Sequence, residues 1–256
     1  MTTEPPDLTA RSWALRAEVA RRVADAMYAG APQGRMRLFA EGLSEINSRL
    51  PALERITESS IFNLQPRTFF DPLRREREPN QRTRLRGIRG HMITAPAVHL
   101  SLLAACHPDT WVAPVHIAGL VIDERLALFP GPLSVRGKPT AWLCDDPDLI
   151  EAFCDLWVRV QDVAVPIRDI PGVVELTERQ LNVVSLLSAG AKDATVARLL
   201  GVSARTVTSD VSRIFEALHV STRWEAGMVL GQATMPVPPA RVDRLLRDRR
   251  SHVAGP

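Results

Sequence analysis

Lysine is almost missing from this chain. It occurs only at Lys138 and Lys192, so nearly all of the 32 basic residues are Arg. Against 29 acidic residues the formal net charge is only +3, which excludes a polycationic surface and makes the placement of Arg more informative than its abundance. Cysteine is scarce too: Cys106, Cys144 and Cys154 are odd in number, lack metal-ligand spacing and stand among apolar residues. That pattern predicts buried reduced thiols, with a redox or metal role as the alternative. No metal or cofactor is expected. Long apolar runs are absent as well: segments such as Leu102–Cys106 fall far short of the roughly 20 residues a membrane span needs. The opening, MTTEPPDLTARSW, carries acids and prolines where a signal peptide carries basic and then apolar residues. A cytoplasmic protein with no membrane partner is the expectation.

What is present is an ordinary globular balance, 45% hydrophobic and 24% charged over 256 residues, enough for one large domain or two modest ones. The expected fold class is α+β, read as five segments. Residues 1–57 read as a helical hairpin. Its first helix starts near Thr9 and carries Trp13, Ala17, Ala20, Ala24 and Met27 on one face; its second runs from Met36 to Arg49. Residues 58–168 change to short β-like runs: SIFNLQ, the stretch Leu85–Thr94, WVAPVHI, the pair GLVID and RLALFP about Asp123-Glu124, and TAWLCD. A helix at Ala97–Ala105 sits between strands, and another is capped by Asp146. This part is expected to be a small sensor-like α/β domain. Residues 169–175, around Pro171-Gly172, read as a linker. Residues 176–235 read as four helices, and 236–256 as an Arg-rich tail.

The strongest signal lies in that helical segment. Thr177 and Gln180 form a capping box, Gly190 closes the first helix, Gly201 supplies a left-handed turn, and Ser203 caps the third helix. At 100° per residue, Val207, Val211, Ile214 and Leu218 fall on one side of that third helix, about Ser203–Leu218. Ser203, Arg205, Thr206, Thr208, Ser209, Ser212 and Arg213 are expected at its entry and on its outward side. Short hydroxyl and guanidinium side chains on an outward helix face fit the base edges and phosphates of a DNA major groove.

These residues resemble the LuxR-type (GerE) helix-turn-helix of bacterial transcription regulators. Leu176-Thr177, Gly190, Val196-Ala197, Leu200 to Ser203, Thr206-Val207, Leu218-His219-Val220, Arg223 and Ala226 match its pattern. The resemblance implies a DNA-binding transcriptional regulator, a homodimer through the fourth helix (Trp224 to Gln232), and the option of contact with RNA polymerase. Departures are Gln180, Thr195, Thr208, Asp210 and Ala217, where the family carries Glu, Glu, a basic residue, His and Lys. The last three are expected to thin the DNA side. From Leu176 to Met235 there are six basic and five acidic residues, so phosphate attraction should be modest. Pairing of protomers and the tail's Arg241, Arg244, Arg247, Arg249 and Arg250 are the expected compensation.

The middle segment is similar, more loosely, to phospholipase D-type enzymes. Their His-x-Lys-x4-Asp pattern is met by His116 and Asp123, but Ala118 stands where Lys would hold phosphate. The resemblance implies a degenerate, non-catalytic domain placed before the helix-turn-helix. Arg82, Arg84 and Arg86, with His116, form a candidate anion or ligand site for an unidentified small-molecule or protein effector. Two alternatives stand beside a transcription regulator. One is a phosphodiester-cleaving enzyme tethered to DNA; the other is a sigma-like module that binds RNA polymerase. No phosphoacceptor pocket is visible. With Tyr28 as the sole Tyr, the aromatic set of an acyl-homoserine-lactone pocket is also missing.

Overall fold

The pattern of strands with helical insertions produces an α+β protein. The computed structural model describes residues 6–28, 35–68, 82–83, 85–97 and 99–233. The chain divides into two compact units. One is built from Met1–Arg67, Glu78–Pro96 and Asp109–Pro166, the other from Thr68–Arg77, Ala97–Pro108 and Ile167–Pro256.

The first unit is one eight-stranded mixed sheet. Its strands are β1 (Met36–Glu41), β2 (Ile61–Gln65), β3 (Met92–Thr94), β4 (Trp111–Val112), β5 (Gly119–Ile122), β6 (Leu126–Gly131), β7 (Thr140–Cys144) and β8 (Val165–Pro166), in the order β1-β7-β6-β5-β2-β3-β4-β8. β2, β3 and β4 are mutually parallel and the other pairings antiparallel. Strand alternation sorts side chains onto two faces. On one face Val121, Ala127, Phe129, Trp142 and Cys144 meet α1 (Pro6–Tyr28) and the helix Pro147–Gln161. On the other Ile122, Ala141 and Phe39 meet Leu53, with Ile46 and Leu50 packed alongside, all three from α2 (Leu43–Ile56). Asp123 and Glu124 both take left-handed φ, near 50° and 52°, and close the expected β5–β6 hairpin.

Several sequence expectations are corrected. The stretch from Met36 begins as strand β1, paired antiparallel with β7, and helix starts only at Leu43 after Gly42 at φ 91°. The Leu38-to-Leu50 spacing therefore spans two elements, and α1 and α2 cover opposite faces of the sheet instead of packing as a hairpin. Helix α1 is present, but its buried stripe is Leu8, Leu15, Val19 and Val23, while Trp13 is half exposed. Branched aliphatic side chains remove more apolar area from water than the Ala-rich stripe would. The expected strands at Leu85–Thr94 and Trp111–Ile117 are regular only at Met92–Thr94 and Trp111–Val112.

The second unit is helical. It comprises α3 (Leu100–Cys106), a 3-10 turn at Ile167–Asp169, α5 (Glu178–Ser188), α6 (Asp193–Leu200), α7 (Ala204–Leu218) and α8 (Arg223–Ala233); α4 is the first unit's helix Pro147–Gln161. Leu181, Val184, Val196, Leu199, Val207, Val211, Ile214 and Leu218 share its core with Leu102 of α3. Within the expected linker, residues 169–175, Val174 packs on this core, and Ile167 just before it is fully buried. No helix among the described residues is long and apolar enough to cross a membrane. Among them, no group of three or more His, Cys, Asp or Glu side chains could hold a metal.

Candidate nucleic-acid interface

Helix α7 is fixed at both ends by local chemistry. Ser203 Oγ accepts the Thr206 N–H at 3.1 Å, which caps the start. Gly201, at φ 66°, makes the preceding turn, and His219, at φ 55°, ends the helix in the left-handed conformation. The capping box of α5 is complete: Thr177 Oγ1 accepts from Gln180 N, and Gln180 Oε1 accepts from Thr177 N. Arg223 ties α8 to α6 through two bonds to Asp193, at 2.9 and 2.6 Å.

With Val207, Val211, Ile214 and Leu218 buried, Ser203, Arg205, Thr208, Ser209, Ser212 and Arg213 are exposed and Thr206 is half-buried at the helix entry. The predicted face is therefore assembled on one helix. Thr208 Oγ1 donates to Ala204 O and Ser212 Oγ to Thr208 O, at 3.1 and 3.2 Å; each oxygen keeps lone pairs for an incoming donor. Arg213 pairs with Glu216 at 2.6 Å, which offsets its charge. The side chains of Arg205 and Ser209 have no hydrogen-bond or ion-pair partner among the described residues, so Arg205 is an open cation on this face.

Two positions expected on the DNA side are elsewhere. Asp210 is buried and receives two bonds from Arg179 of α5, at 2.8 and 3.1 Å. Ala217 is also buried in the core. Of the three departures, only Thr208 is exposed on the outward face of α7. The Arg179–Asp210 link is invisible in a linear reading, because its partners lie 31 positions apart.

Of the candidate anion residues, Arg82 and Arg86 come together on Glu54, and His116 lies apart from them. Arg82 donates to Glu54 Oε2 at 3.0 and 3.2 Å. Arg86 donates to the carbonyl oxygens of Glu54, at 3.1 Å, and Thr57. These guanidiniums neutralise and cap the C-terminal end of α2; Arg84 lies outside the described residues. His116 is on the other face, its ring stacked on Trp13 of α1 with centroids 5.9 Å apart, and Arg16 lies over the same indole at 4.9 Å. Asp123, at the far end of β5 from His116, accepts from the backbone N–H groups of Glu58, Ser59 and Ser60 and from Ser59 Oγ. Burial alone would raise its pKa, but these four donors hold it down to about 2. Asp123 thus fastens the entry to β2, and the phospholipase-like motif residues do not converge.

The family model for "Bacterial regulatory proteins, luxR family" (GerE) matches residues 174–230. That segment is a LuxR-type helix-turn-helix domain, which supports a DNA-binding transcription regulator. No curated protein matches the sequence. Among solved structures, TrmBL2, an archaeal chromatin protein, aligns at 12% identity and TM-score 0.39 over 62% of this chain; the chain spans 64% of that protein's length. Two smaller structures align over 51% of this chain. Nuc, a phospholipase D family member from Salmonella typhimurium, shows 10% identity, TM-score 0.38 and 97% of its own length covered. NucT from Helicobacter pylori shows 15%, 0.39 and 98%.

Proposed function

We propose that this chain is a transcriptional regulator that lays α7 in the DNA major groove, pairs as a homodimer through α8, and is controlled by the sheet-containing unit. The observation that carries the reading is the outward face of α7, with Arg205 and Ser209, whose side chains have no partner among the described residues, beside the hydroxyls of Thr208 and Ser212. Helix entry residues of this kind reach base edges, while hydroxyls and the helix N-terminus fix phosphates. Arg179, Arg213 and Arg223 are each paired with an acid, so a single protomer binds weakly. A second protomer and the Arg-rich 236–256 tail, outside the described residues, supply further phosphate contacts.

The same reading makes the protein a non-enzyme. General acid–base phosphodiester chemistry needs a positioned nucleophile and a cation on the phosphoryl oxygens. Ala118 supplies no cation, and His116 packs on Trp13. Selection of bound fragments from genomic DNA, at a fixed ionic strength near physiological, tests the proposal. An enriched motif lost on Arg205→Ala is the expected outcome; the absence of any enriched motif would refute it.

A further inference from the structure

Helices α1 and α4 cover one face of the sheet, and the seam between them is not closed. Arg11, Ala14, Glu18 and Arg22 recur every three or four residues along α1, so they share one helix face. Asp148, Ala152 and Asp155 do the same on α4, and the two faces border a solvent-open groove of about 370 Å³. Its floor is apolar, formed by the buried Leu15, Leu149 and Leu156. Ala14 and Ala152 are exposed on its walls; longer apolar side chains at either place would fill the space and pack across the seam. The volume falls within the roughly 300–1,000 Å³ of small-molecule sites.

The charges around the groove decide what it takes. Its guanidiniums are committed. Arg22 bonds to Glu18 Oε1 at 2.8 Å and to Asp146, the cap of α4, and Arg11 bonds to Asp7 at 2.8 Å. Glu18 also takes bonds from Arg21 on both of its oxygens, and Asp155 pairs with Arg159 at 2.9 Å. Asp148 differs. It is exposed, it stands two residues beyond Asp146 at the Arg22 end, and its carboxylate has no hydrogen-bond or ion-pair partner among the described residues. The lining sets two guanidiniums against three carboxylates, Glu18, Asp148 and Asp155, so the uncompensated charge is negative.

We propose that this groove binds a small organic cation, an ammonium or guanidinium on an apolar body, with the charged head at Asp148 and the body over Ala14, Ala152 and the leucine floor. Covering that floor removes apolar surface of both partners from water. The head pairs with a carboxylate at a solvent-exposed rim, so charge adds a few-fold in affinity and fixes the ligand's direction. An anion with the same body meets Asp148 unpaired, while Arg11 and Arg22 are already held by acids. The site lies wholly within the sheet-containing unit, and it stands or falls independently of the DNA-binding reading.

The test follows the methyl NMR spectrum of the full chain during titration with three probes that share one body: n-hexylammonium, n-hexanol and n-hexanoate. Saturable shifts are expected at the methyls of Ala14, Leu15, Leu149, Ala152 and Leu156, with hexylammonium a few-fold tighter than hexanol and hexanoate weakest. Added salt should narrow that order. Asp148→Asn should bring hexylammonium to the affinity of hexanol and leave hexanol unchanged. Ala152→Leu should abolish the response to all three, and Ala14→Leu obstructs the groove from the other wall in case the first filling variant does not fold. The proposal is overturned by the absence of saturable shifts at these methyls, by equal affinities for hexylammonium and hexanoate, by an Asp148→Asn protein that keeps the preference for the ammonium, or by a response that survives both fillings.

Discussion

Arg179 grips Asp210 with two guanidinium bonds, Nε to Oδ2 at 2.8 Å and Nη2 to Oδ1 at 3.1 Å, and so ties the start of α5 to the core side of α7. Asp210 is only 3% exposed, whereas Arg179 is half exposed. A bidentate pair of this kind is directional, and removing one partner leaves a buried carboxylate without compensation. Arg179→Ala should therefore destabilise the helical unit by about 1–3 kcal/mol, read from urea denaturation. The salt dependence of DNA binding by the folded variant should not change. A stable Asp210→His protein with a steeper salt dependence would instead place this position on the DNA.

Arg205 and Arg213 differ in a way that binding should report. Arg205 has no partner among the described residues, while Arg213 is engaged by Glu216 at 2.6 Å. Arg205→Ala should cost about 1–3 kcal/mol of specific binding if it reads a base, or lower the salt slope by roughly one if it holds a phosphate. Arg213→Ala should cost less. Glu216→Gln should tighten binding and steepen the salt dependence, because it releases Arg213 from its ion pair. Equal losses for the two Arg variants, with no gain from Glu216→Gln, would contradict this ranking. Anisotropy titrations at several salt concentrations separate the cases.

The contrast between the two units explains what could be read from residues alone. In the C-terminal unit, caps, turn glycine and core stripe are all local. Thr177 with Gln180, Gly201, Ser203 and the Val207–Leu218 spacing therefore fixed the elements and the outward face. The Arg179–Asp210 pair and the burial of Ala217 depend on how α5 and α7 meet, and no local pattern encodes that. In the sheet, β2, β5, β6, β7 and the Asp146 cap were legible, but β1 was hidden because MRLFAE sits beside a helix and its apolar residues also satisfy helical spacing. Strands β3, β4 and β8, of two or three residues, are too short for any period. Arg82 and Arg86 read as an open cluster only until Glu54, some 30 positions earlier, was brought to them.

Acid should weaken both units. Burial lowers the pKa of His91 and of His99, since it penalises the imidazolium; Asp109 opposes the shift at the first and the hydrogen bond with Thr68 opposes it at the second. A folded-state pKa below the unfolded one means that the native protein favours neutral imidazole. The resulting stability is complete above the unfolded value near 6.5 and is lost as pH falls through the folded value. Urea midpoints measured from about pH 7.5 to about pH 5 should decline. His99→Gln should flatten that decline in the helical unit and leave the sheet unit's response, followed through Trp111 and Trp157 fluorescence, in place. An undiminished slope in the helical unit after His99→Gln would assign the acid sensitivity to other groups.

Helix α8 exposes its largest apolar side chains. Trp224 is 80% and Met228 54% exposed, while Ala226 is buried against the core. Trp224 and Met228, four residues apart, share one helix face, and the arrangement suits an isologous contact in which each helix meets its own copy. Trp224→Ala with Met228→Ala should shift the protein to monomer in sedimentation at micromolar concentration while leaving its thermal midpoint nearly unchanged, because neither side chain belongs to the monomer's core. The double variant should also bind a two-half-site DNA more weakly than the parent and a single half-site equally well. Loss of binding to the single half-site would show that these side chains support the fold of one protomer, and unchanged sedimentation would place the protomer contact on another surface.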